Sequence, residues 1–192
     1  MKYFYHGSKN PEILQLKANS KLHNTGEKVV YLTDSIPYAL YYIWDVQHNG
    51  YSGKHVTGWI KDGIAYYEEQ FPDQLKVFYQ GVSGYLYYVS DNVNIKAVEN
   101  RGNMFYCSDD VAVAKVEQIV DVYQELLKCE LEGKLIVLRY NEQSVERQNE
   151  LTDLVARAII RDNLYIDNLQ KQAFMKKFFV DAWATAELRS EK

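Results

Sequence analysis

His6-Gly7-Ser8, Tyr31 and Tyr42 are the residues of this chain whose types and spacing suit a defined chemistry. A histidine at a strand end can donate to a sugar hydroxyl. A glycine beside it lets backbone N–H and C=O groups approach a flat carboxamide with no Cβ in the way. Two tyrosines, one from a strand and one from the adjoining helix, can sandwich an aromatic ring by offset stacking. Together these are the requirements of a pocket for nicotinamide and its ribose. A structural role competes for each residue: His6 can cap a turn, and Tyr31 and Tyr42 can pack in a core.

The order His-Gly-Ser, then two tyrosines with ten residues between them, resembles the His-Tyr-Glu class of the ADP-ribosyltransferase superfamily. That class includes the diphtheria-type toxins and the poly(ADP-ribose) polymerases. The resemblance covers the first forty-odd residues, about a fifth of the 192-residue chain. It implies an α+β fold with an ADP-ribosyltransferase-like split β-sheet core, and NAD as a bound substrate. It assigns His6 and Gly7 to the NAD ribose and nicotinamide amide, and Tyr31 and Tyr42 to stacking on nicotinamide; Ser8 follows the pair as it does in the polymerases. One position departs: the polymerases carry a serine three residues before the second tyrosine, and this chain has Ala39.

The same resemblance calls for a glutamate at the head of a later strand, holding the ribose 2′-hydroxyl. A carboxylate there stabilises positive charge developing as nicotinamide leaves, an effect worth several kcal/mol in comparable sites. The strand at residues 103–108 has no acid at its head. Glu99 ends an alternating stretch with Ile95 and Ala97, and Glu117 ends the run Val111, Val113, Lys115 on one strand face; Glu68 and Glu69 come early. Glu117 and Glu99 are therefore the candidate acids, with the acceptor an unspecified macromolecule. The alternative is a catalytically inactive module on the same fold that binds a nucleotide or a partner. A third reading is an interaction protein that uses its tyrosine-rich sheet or its C-terminal helices.

Composition narrows the remaining classes. The net charge of −4 argues against a nucleic-acid partner, and no apolar run reaches the roughly 20 residues of a membrane helix. Cys107 and Cys129 form no Cys-x-x-Cys pair, and His6, His23, His48 and His55 show no metal-ligand spacing, so no metal is expected. No apolar segment of secretory type follows Met1-Lys2, which makes the cytoplasm the expected compartment. The 17 tyrosines suit half-buried sheet faces and cleft walls.

The elements that must position the site are legible as patterns. Residues 1–6 alternate as a strand, and Val29-Val30-Tyr31-Leu32 is a buried one. Thr33-Asp34-Ser35 caps a helix expected over Tyr38 to Trp44, with Pro37 in its first turn. Strands are expected at 55–60 and 64–68 around a Lys61-Asp62-Gly63 turn, and at 84–90, 94–98, 104–108, 111–116 and 135–138. Short helices are expected after Phe71-Pro72-Asp73 and over 120–129. Residues 1–192 read as a single domain, with a helical appendage of two helices over about 144–190.

Overall fold

The computed structural model describes residues 2–22, 24–99 and 101–190. The chain is mixed α+β. In chain order its elements are β1 (Tyr3–Ser8), β2 (Gln15–Leu16), β3 (Ser20–Lys21), β4 (Lys28–Thr33), α1 (Ile36–Leu40), α2 (Val46–Asn49), β5 (Gly58–Lys61), β6 (Ile64–Glu68), α3 (Gln74–Tyr79) and β7 (Gly84–Ser90). There follow β8 (Lys96–Ala97), β9 (Met104–Cys107), β10 (Val111–Ala112), β11 (Lys115–Ile119), α4 (Val122–Leu131), β12 (Leu135–Leu138), α5 (Val145–Arg161), α6 (Leu169–Phe178) and α7 (Val180–Ser190).

The main sheet runs β11-β7-β1-β4-β9-β8, with β3 added to β4, and every pairing in it is antiparallel. A second sheet runs β12-β6-β5, in which β12 and β6 pair in parallel. The β5–β6 hairpin turns at Asp62 and Gly63, both with positive φ (51° and 77°), as a two-residue turn matched to strand twist requires. Each sheet face has its own apolar cluster. Phe4, Val30, Leu32 and Val89 pack on one side of the main sheet; α1 lies against β1 and β4 on the other, in one buried cluster with β6, β12 and the later helices.

Three expectations change. The first helix ends at Leu40, so Tyr42 sits in the turn beyond it. Residues 111–117 do not form one strand face. Val111–Ala112 pairs with β2, whereas Lys115–Ile119 pairs with β7, because the chain leaves one sheet for the other between them. The C-terminal segment forms three helices, and it is built into the core: Phe174, Met175, Phe179, Ala182 and Trp183 belong to the same buried cluster as Tyr41, Tyr67 and Phe78. The physical reason is aromatic area. Phe78, with no exposed surface, lies 5.7 Å from the Phe174 ring and 5.2 Å from Phe178.

His55 lies within this aromatic layer, with ring centroids 4.9 Å from Phe179 and 6.0 Å from both Phe78 and Phe174. Its Nε2 and the Gln70 side-chain oxygen are 3.1 Å apart. Burial holds its pKa below the ordinary 6.5, opposed by the Gln70 hydrogen bond and reinforced by the charge of Lys171. A histidine whose folded pKa is depressed is neutral when folded and takes up a proton first when unfolded. Its stabilising contribution is complete above about pH 6.5 and declines as pH falls towards the depressed folded value. The melting temperature is therefore expected to drop between pH 7 and pH 5, and His55→Gln to shallow that slope. A pH series of circular-dichroism melts on the two proteins checks it; equal slopes would remove His55 as the cause.

Candidate functional site

β1 is an interior strand, and its backbone hydrogen bonds explain the site. The Lys2 carbonyl accepts from the Asp91 N–H, so even-numbered residues of β1 turn their peptide groups towards β7. Tyr5 and Gly7 then turn theirs towards β4. There the register consists of one pair, Tyr5 with Thr33, and no Gly7–Tyr31 pair follows among the described residues. The sheet opens after that single bridge. His6 spans the interval instead, with its Nδ1 3.0 Å from the Tyr31 carbonyl oxygen.

That contact sets the imidazole's proton. A carbonyl only accepts, so Nδ1 carries the hydrogen and donates it. Burial pushes the His6 pKa down, against the Tyr31 bond, with Lys54 adding to the lowering. The neutral ring leaves Nε2 as an acceptor. A sugar hydroxyl meeting His6 would donate to it, the reverse of the direction read from the sequence.

A cavity of about 270 Å³ lies over the opening. Its walls include His6, Gly7, Tyr31 and Tyr42, which the sequence singled out, together with Tyr5, Thr33, Tyr38 and Ala39. Lys54, Arg101 and Met104 complete the rim. Two further cavities adjoin it: one of about 290 Å³ shares Tyr31 and Arg101, and one of about 300 Å³ shares Tyr38, Arg101 and Met104. The volumes sit at the low end of the range of roughly 300–1,000 Å³ usual for small-molecule sites.

Local structure holds each wall. The Tyr31 hydroxyl donates to the Lys21 carbonyl at 3.2 Å, so β3 fixes the outer end of that ring. α1 starts where Ser35 caps the Tyr38 N–H and Pro37 enters its first turn. It ends as the Tyr79 hydroxyl donates to the Tyr41 carbonyl at 2.8 Å, which delivers Tyr42 into the cavity wall. Tyr38 lies beside Tyr42, centroids 5.7 Å apart and tilted by 59°, so the two rings stay neighbours past the end of the helix. Burial pushes the Tyr42 phenol pKa up, keeping it neutral. Gly7 is required by contact as well as by access. A Cβ built there would stand 2.0 Å from the Ala39 carbonyl oxygen.

The other candidates fall outside this wall. Ser8 does not line the cavity; its hydroxyl accepts from the Asn10 N–H at 3.2 Å in the turn after β1. Glu99 is exposed and lines the neighbouring cavity that shares Tyr31 and Arg101. Glu117 stands opposite Leu86, which stands opposite Gly7, so all three share one sheet face. Two strand spacings separate Glu117 from Gly7, roughly 10 Å. The Tyr88 hydroxyl donates to the Glu117 carboxylate at 2.5 Å, and Lys115 is 3.5 Å away. The Tyr88 bond, chiefly, keeps that carboxylate below its ordinary pKa and ionised. Glu68 pairs with Arg147, and buried Glu69 accepts the N–H groups of Leu75 and Tyr140, so both serve the fold.

Sequence reading missed Lys54 and Arg101. Both sit outside helices and strands, where no periodicity marks a side chain as cavity-facing. Lys54 places its ammonium 5.4 Å from the Tyr42 ring centroid, within cation–π range. His23 lies outside the described residues. Among those described, no group of three metal-ligating side chains converges, and no helix is long and apolar enough to cross a membrane. No family model, curated protein or solved structure matches the chain.

Proposed function

We propose that this chain is an ADP-ribosyltransferase-like domain that binds NAD in the cavity over the β1–β4 opening. The observation that carries the reading is the convergence of His6, Gly7, Tyr31 and Tyr42, distant in sequence, on the walls of one cavity. The opening of the sheet supports it, because the Gly7 peptide turns towards an interval with no paired strand residue opposite. That peptide offers one donor and one acceptor to a carboxamide, and Tyr31 and Tyr42 offer ring faces to a flat heterocycle. Ala39 supplies no hydroxyl, so the carboxamide would rely on the Gly7 backbone. As a transferase, the domain would move ADP-ribose to a macromolecular acceptor, with the carboxylate of Glu117 or Glu99 as the acid.

A second reading, binding of NAD or another nucleotide without turnover, is favoured by the charge of the wall. Lys54 and Arg101 line the cavity beside a neutral His6, and among the described residues no carboxylate does. Such a wall opposes the positive charge that develops as nicotinamide leaves.

Incubation of the purified protein with NAD, following nicotinamide release and thermal stabilisation, separates the outcomes. Tyr31→Ala and Tyr42→Ala are each expected to weaken NAD binding by roughly fivefold to a hundredfold, since a ring stacked on an aromatic contributes roughly 1–3 kcal/mol. If the domain is a transferase, either Glu117→Ala or Glu99→Ala should abolish release and spare binding, which identifies the acid. Stabilisation without release supports the second reading. No stabilisation and no release at millimolar NAD would exclude both.

A further inference from the structure

Lys54 and Arg101 line the same cavity as His6, Gly7, Tyr31 and Tyr42, and the contacts proposed for nicotinamide use neither of them. Among the described residues, neither has a carboxylate within the 4.0 Å that defines an ion pair. Arg101 differs in this from the other five arginines, all of them ion-paired: Arg139 is bidentate to Glu130, Arg147 joins Glu68 and Glu150, and Arg157, Arg161 and Arg189 meet Asp153 or Asp162. Glu99 lines the same neighbouring cavity as Arg101 without pairing with it. Lys54 is exposed overall, but the wall around its ammonium removes enough water to lower its pKa, and desolvation is the only cause. Its nearest compensation is the face of the Tyr42 ring.

Unpaired cations gathered on a concave wall raise a positive potential that lacks its counter-charge. We infer that Lys54 and Arg101 form an anion subsite that takes the phosphate or diphosphate of a nucleotide whose base-like ring enters the cavity lined by Tyr31 and Tyr42. Arg101 stands where all three cavities meet, so a diphosphate held there can send its two nucleoside ends in different directions along the groove. A guanidinium suits this through its fork of N–H donors, and the flexible lysine adds a point charge. The subsite deepens the nucleotide reading above and rests on it for the identity of the ligand, although the anion chemistry is separately measurable.

The test uses the full chain, calorimetry, and four probes: inorganic pyrophosphate, ADP-ribose, nicotinamide riboside and NAD. Lys54→Met keeps the aliphatic stem and removes the charge; Arg101→Gln does the same at the second position. Circular dichroism of both variants confirms the fold. Each variant is expected to weaken pyrophosphate, ADP-ribose and NAD about tenfold, and to leave nicotinamide riboside, which has no phosphate, within about twofold. Wild-type binding of the phosphorylated probes should also weaken with added salt, more steeply than in Lys54→Met. If pyrophosphate binds through Lys54 while NAD does not bind, the anion subsite stands and the NAD reading fails. If NAD binds equally well to wild type and both variants, the NAD reading stands and the subsite is overturned. Pyrophosphate binding that neither substitution alters also overturns it.

Discussion

Gly7→Ala is expected to lower the melting temperature by roughly 2–12 °C, whereas Gly102→Ala leaves it unchanged. At position 7 the added methyl would meet the Ala39 carbonyl oxygen at 2.0 Å, its carbon at 3.0 Å and Ile43 Cγ1 at 3.1 Å. The first two are backbone atoms of α1 and its C-terminal end, so no rotamer change relieves the collision. The strand and the helix must separate. Overpacking of this kind costs about 1–3 kcal/mol and occasionally more, and in a domain of this size each kcal/mol corresponds to roughly 2–4 °C. At Gly102 no heavy atom lies within 4 Å of the added Cβ, and its φ is not in the left-handed region. Gly7 is likewise free of positive φ, so the whole effect arises from contact. Separation of β1 from α1 also shifts the Gly7 peptide against Tyr42. On the proposed NAD reading, the variant is therefore expected to lose NAD stabilisation even where it remains folded. Melts of both variants with and without NAD check both halves; a Gly7→Ala protein as stable as wild type would show that α1 does not press on β1 in solution.

Phe78→Ala should reduce stability by about 3–5 kcal/mol, the usual range for removing a buried phenylalanine. The side chain is fully buried, and its ring packs on Trp44 at 5.1 Å, Phe71 at 5.5 Å and Phe178 at 5.2 Å. These partners come from the turn after α1, the segment before α3, and α6. A cavity at position 78 therefore loosens the floor beneath the first helix and the seat of the C-terminal helices together. The expected melt is one transition shifted down by roughly 6–20 °C. Phe174→Ala, on α6, should shift the same single transition, because that ring contacts Phe78, Trp44 and Tyr51. A separate early transition in the Phe174 variant, with the main melt unmoved, would show that residues 144–190 behave as an appendage after all.

How far the sequence reached depends on how local each determinant is. Strands β7 and β12 occupy residues 84–90 and 135–138 as read, since a bounded apolar run defines a buried strand without outside help. The start of α1 was equally legible, because Ser35 and Pro37 act on the residues beside them. Its end was not. The bond that takes up the Tyr41 carbonyl comes from Tyr79, 38 residues later. The strand read over 111–116 divides for a similar reason: its two halves find partners in different sheets, which alternation along the chain cannot express.

The candidate site divides in the same way. His6, Gly7, Tyr31 and Tyr42 were identifiable from residue type, order and spacing, and all four line one cavity. The tertiary structure alone decided that Ser8 turns away, that Glu117 shares the face of Gly7 two strands distant, and that Lys54 and Arg101 join the wall. Residue type and local period determine what a side chain can do and which way its segment turns. Pairings between residues tens of positions apart decide which side chains meet, and in this chain they brought unpaired cations, and no carboxylate among the described residues, to the wall beside Gly7.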